Sequence, residues 1–64
     1  MSNTIDKIFE GHNILQQSEF DLKTIANTVS YLHPNLAEDL FSIAEDIKTA
    51  NENIRRAWAE EQRS

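Results

Sequence analysis

The chain contains no cysteine, which removes disulfides and thiolate zinc sites together. It has one glycine and one proline. That is too little punctuation for a set of β-hairpins, and no segment alternates apolar and polar residues as a half-buried strand does. No apolar run approaches the roughly 20 residues needed to span a bilayer. The opening Met1-Ser2-Asn3-Thr4-Ile5-Asp6 lacks the basic flank and apolar stretch of a secretory leader, so a cytoplasmic location is expected. Basic residues are scarce too: six Lys and Arg stand against eleven Asp and Glu, a net charge of −5. This balance argues against nucleic acid and acidic membranes as partners, because neutralisation of phosphate by Lys and Arg dominates affinity for both. His12 and His33 lie far apart and outside any metal-ligand spacing, and no cofactor or metal is expected.

What remains is helical. The chain of 64 residues makes a single domain, and a lone domain of this size buries only about 60% of the surface its unfolded form exposes. With disulfides and metals excluded, oligomerisation is the compensation left to it. The clear break is Ser30-Tyr31-Leu32-His33-Pro34-Asn35. Pro34 has no N–H and disfavours helical geometry at His33. Asn35 is a suitable N-cap, and Glu38 stands where a capping box wants it. A helix is therefore predicted over 36–62, with Glu38 and Asp39 near its start and Arg55, Arg56 and Arg63 toward its end, both favourable to the helix dipole.

Within that segment, positions 40, 44, 47, 51, 54 and 58 are Leu40, Ala44, Ile47, Asn51, Ile54 and Trp58. Their alternating steps of four and three are heptad spacing. Phe41 and Ile43 widen the stripe at its start, which suits a bundle better than a thin two-stranded seam. At about 1.5 Å per residue the helix is roughly 40 Å long, too long for a much shorter partner to cover. The first half is less regular. Ile5, Ile8, Leu15, Leu22, Ala26 and Val29 share a stripe, with Phe9 and Ile25 beside it, but His12 and Glu19 fall on the same stripe and weaken it. Gly11 suits a C-cap, and Ser18 with Asp21 resembles an N-cap pair. A single helix over 4–31 is nonetheless expected, since an interior glycine costs only about 1 kcal/mol relative to alanine.

Two helices of similar length joined by a turn over 32–35 form an antiparallel hairpin. A lone hairpin leaves Phe9, Phe20, Phe41 or Trp58 poorly covered, so the predicted fold is all-α, a hairpin spanning 1–64 that homodimerises into a four-helix bundle. The candidate core and dimer-interface residues are Leu22, Val29, Leu40, Ala44, Ile47, Asn51, Ile54 and Trp58. Asn51 reads in two ways, as a buried polar residue that fixes register by pairing with another polar group, or as an edge residue bonded to water. His12 and Glu19 lie seven residues apart, about 10.5 Å along a straight helix, too far for a direct acid–base pair.

Arg55 and Arg56 beside Trp58 form the basic–aromatic cluster and the candidate for external recognition. In a nucleic-acid binder Arg would contact phosphate and Trp would stack on an unpaired base. The favoured reading is ordinary pairing of Glu52 with Arg56 and of Arg56 with Glu60, next to a core Trp. No nucleophile motif or phosphate-binding glycine loop is present, and a thin hairpin has little room for a substrate pocket, so an enzyme is not expected.

The stretches Ser18-Glu19-Phe20-Asp21-Leu22-Lys23, Thr28-Val29-Ser30-Tyr31-Leu32-His33-Pro34 and Leu36-Ala37-Glu38-Asp39-Leu40 resemble small accessory proteins encoded in the early, exo–xis region of lambdoid bacteriophages. The resemblance covers about a third of the chain. It implies a helical protein, made early in infection in the host cytoplasm, that perturbs host or phage regulation through protein contacts, and it carries over no catalytic residue. In size and layout the chain also resembles the plasmid RNA-binding regulator Rop, a likeness of architecture alone. The expectation is a non-enzymatic regulatory or adaptor protein that dimerises and binds another, unknown protein. The alternative is a Rop-like binder of structured RNA.

Overall fold

The structure is a computed structural model that describes residues 3–63; Met1, Ser2 and Ser64, part of the domain expected over 1–64, lie outside the described residues. Two helices, α1 (Asn3–Val29) and α2 (Pro34–Arg63), pack against each other as an all-α hairpin. α1 runs unbroken through Gly11 and Ser18. Gly11 is thus an interior helical residue and Ser18 is not an N-cap, since packing along α2 outweighs the small helical penalty of one glycine.

The turn is placed differently from the expectation. α1 stops at Val29 rather than at residue 31. The Val29 carbonyl accepts from the backbone N–H groups of Leu32 at 3.1 Å and His33 at 2.7 Å, and the Ser30 hydroxyl donates to the Asn27 carbonyl at 3.0 Å. Carbonyls left open at the helix end are closed in this way, with no residue at positive φ among those described. α2 begins at Pro34, two residues before the predicted start, and the His33 carbonyl accepts from the Ala37 N–H at 3.0 Å. Asn35 is therefore inside the helix and not its cap, and Glu38 and Asp39 lie beyond its first turn. Proline belongs at this first helical position: its φ is already helical, and the N–H it lacks would have had no partner there.

The hairpin is thin. Its principal extents are 49 × 15 × 9 Å and its radius of gyration is 14.8 Å, against about 11 Å for a compact chain of this length. The buried residues among those described are Ala26, Ala37, Ala44 and Asn51. The larger seam residues Ile5, Ile8, Leu15, Leu22 and Val29 of α1, and Leu40, Ile47 and Ile54 of α2, are half-buried. Alanines let the two helices approach closely, but one neighbour cannot enclose a leucine. Among the described residues no helix is long and apolar enough to cross a membrane.

Candidate interaction surface

The seam is pinned by a polar contact. The imidazole of His12 in α1 and the amide of Asn51 in α2 meet with Nδ1 and Oδ1 3.0 Å apart, the ring nitrogen donating in this arrangement. Asn51 is buried, His12 is half-buried, and the Phe9 ring lies beside the imidazole at a centroid distance of 6.5 Å. Stepping seven residues along each helix in opposite directions from this pair sets Glu19 level with Ala44 and Ala26 level with Ala37. These levels contain the four residues that are buried among those described. Glu19, the other polar residue of the α1 stripe, accepts a hydrogen bond from Lys23 Nζ at 3.0 Å. The two polar interruptions of α1 are thus both partnered, one across the seam and one along its own helix. Lys23 is held above the ordinary lysine value of 10.5, chiefly by the hydrogen bond to Glu19 and then by its charge, with Glu45 adding to the effect and partial burial opposing it.

The predicted interface residues are spread along this seam. Ala44 and Asn51 are buried, Leu22, Val29, Leu40, Ile47 and Ile54 are half-buried, and Trp58 is 40% exposed. Trp58 continues the heptad steps of α2, but it lies near the open end of the hairpin, where only the first turns of α1 face it. The expected pairing of Arg56 with Glu52 and Glu60 does not form. Arg56 instead donates to Asn53 Oδ1 at 3.3 Å, and no carboxylate among the described residues lies within 4.0 Å of either Arg55 or Arg56. An exposed ion pair contributes so little that a neutral amide neighbour competes with it.

Either side of the seam carries a distinct flank. In an antiparallel pair, the residues just before the small-residue levels of each helix lie on one side: Ser18 and Ile25 of α1, and Leu36, Ile43, Ala50 and Ala57 of α2. None is charged, and Ile25, Leu36 and Ile43 are each close to half exposed. The opposite side carries Phe9 and Lys23 of α1 with Phe41, Lys48 and Arg55 of α2, and Phe20 stands one step farther out. The grooves between the helices follow this division. One, of about 440 Å³, is bordered by Thr4, Lys7, Gly11 and Ile54 on the aliphatic side. The other, of about 460 Å³, is bordered by Phe9, His12, Arg55 and Trp58 on the aromatic side. By spacing alone Phe41 and Ile43 widen one stripe together; the structure puts them on opposite flanks. Ile14 and Leu36, both exposed, were not among the predicted interface residues. The seven-residue spacing of Leu36, Ile43, Ala50 and Ala57 was the available signal.

Compared with family models, with curated proteins and with solved structures, the chain matches none.

Proposed function

We propose that this protein is a non-enzymatic adaptor that works through helix-mediated protein contacts, and that two hairpins associate along their aliphatic flanks into a four-helix bundle. The observation that carries this reading is the unfinished core. Large apolar residues of the aliphatic flank, Ile25, Leu36 and Ile43, are exposed, while the apolar side chains buried among the described residues are alanines. The accessible surface of 5083 Å² exceeds by about 900 Å² the roughly 4,200 Å² expected of a compact monomer of this mass. That excess is close to the ~800 Å² each partner gives to an interface of standard size. In α2 the stripe of heptad positions plus the adjacent row Leu36, Ile43, Ala50 and Ala57 is also the pattern of a bundle helix. Contact with a further protein on the other flank accords with the regulatory role implied by the resemblance to phage early proteins.

The test is the solution mass of the full chain at micromolar concentration. The expected value is twice 7.4 kDa, reduced to the monomer mass by Ile43→Glu and unchanged by Ser42→Glu on the outward face. Ile43 is 47% exposed in the single hairpin, so the substitution leaves the hairpin itself intact and helicity should persist. A monomer at every concentration, or a dimer indifferent to Ile43→Glu, overturns this assembly.

A further inference from the structure

The groove at the open end of the hairpin is the second surface. Its base is Ile8 and Ile54, its apolar walls are Phe9 and Trp58, and His12, Arg55 and Arg56 supply its polar atoms. Its volume of about 460 Å³ lies within the range of ligand pockets, about 300–1,000 Å³. No residue bordering it is acidic, although the chain as a whole carries a net charge of −5. The two arginines are free of carboxylate partners among the described residues, and Arg56 spends one N–H on the neutral Asn53 amide. An aromatic cleft edged by two guanidinium groups that have no carboxylate partner among the described residues is complementary to an apolar side chain that has a carboxylate next to it. Guanidinium binds carboxylate through paired N–H donors, and aromatic walls around a desolvated knob are the usual anchor of a protein contact.

We propose that this groove docks an acidic amphipathic segment of a partner protein, with a leucine or phenylalanine of that segment seated between Phe9 and Trp58 and a neighbouring carboxylate on Arg55 and Arg56. The proposal rests on the adaptor reading but not on the dimer, whose flank lies on the other side of the seam. Charge selects the occupant. A nucleic acid presents a continuous row of phosphates, and beyond the groove it would meet a chain whose net charge is −5. A short segment with one or two carboxylates needs no more cation than the two arginines provide.

Trp58 is the single tryptophan, so its fluorescence reports on the groove directly. The full chain is titrated with a blocked synthetic peptide in which glutamates alternate with leucine and phenylalanine. Three further ligands are compared with it: the same peptide with alanine at the apolar positions, a lysine version, and a single-stranded RNA oligonucleotide. Saturable change is expected with the first alone, weakened by about tenfold or more in Arg55→Ala/Arg56→Ala, as for loss of a charge-assisted pair, with helicity unchanged because both side chains are exposed. Equal response to the alanine peptide, tighter binding of RNA, or indifference to the arginine substitutions overturns the assignment. If no peptide response is seen while the Ile43-dependent dimer persists, the groove fails and the dimer stands; a monomer that still binds the peptide sinks the dimer and keeps the groove.

Discussion

His12 and Asn51 are 39 residues apart in sequence and 3.0 Å apart in space, and their hydrogen bond joins the two helices across a seam built largely from alanine, leucine and isoleucine. Sliding one helix by a heptad would set the imidazole against Ala44 and leave the amide without its partner. An unsatisfied buried polar group costs about 1–3 kcal/mol, whereas replacing both partners with apolar groups can be neutral or stabilising. Asn51→Leu alone is therefore expected to destabilise the protein by about 1–2 kcal/mol. The double variant His12→Leu/Asn51→Leu should recover or exceed the original stability. Urea unfolding of all four members of the cycle measures this, with a coupling of about 0.5–3 kcal/mol expected for a contacting pair. Additive effects would show that the contact does not contribute.

Gly11 offers a gain. It is an interior helical residue, and a Cβ built on it meets Ile54 Cδ1 at 3.7 Å, an ordinary van der Waals distance. Gly11→Ala is expected to raise stability by about 0.5–1 kcal/mol through reduced freedom of the unfolded chain and better helix propensity. The thermal midpoint of the variant checks it. A lower midpoint would mean that a second hairpin approaches the backbone at Gly11 too closely to admit a methyl group.

The ion pair of Lys23 with Glu19 gives a pH dependence of definite sign. The Lys23 pKa is raised in the folded state, so the pair's contribution is fully present below the ordinary lysine value of 10.5 and is lost as pH rises through the folded value. Between about pH 9 and about pH 12 the thermal midpoint of the original chain should fall more steeply than that of Lys23→Met. Parallel curves would show that the pair has no weight in stability.

The unequal legibility of the two helices has a local cause. In α2, Leu40, Ala44, Ile47, Asn51 and Ile54 state the heptad outright. In α1 the same spacing passes through His12 and Glu19, which look like defects until their partners are known. For Glu19 that partner is four residues away on its own helix, a spacing visible in sequence. For His12 it is across the hairpin, and finding it requires the register. The turn is hard to place from sequence because proline both ends and begins helices, and hydrogen bonding to the carbonyls of Val29 and His33 decides between the two.

Composition and periodicity by themselves determined that this chain is two amphipathic helices folded back at the Pro34 turn, because a lack of cysteine, strand alternation and glycine leaves no other way to shelter its apolar residues. They could not determine which way each flank faces. That depends on the antiparallel register, which sets Ile25 with Leu36 and Ile43 on one side and Phe9 with Arg55 and Trp58 on the other. Tertiary packing also decided that the core is alanine. A single helix can cover only one stripe of its neighbour, so close approach buries the small side chains and leaves the large ones half open on either flank.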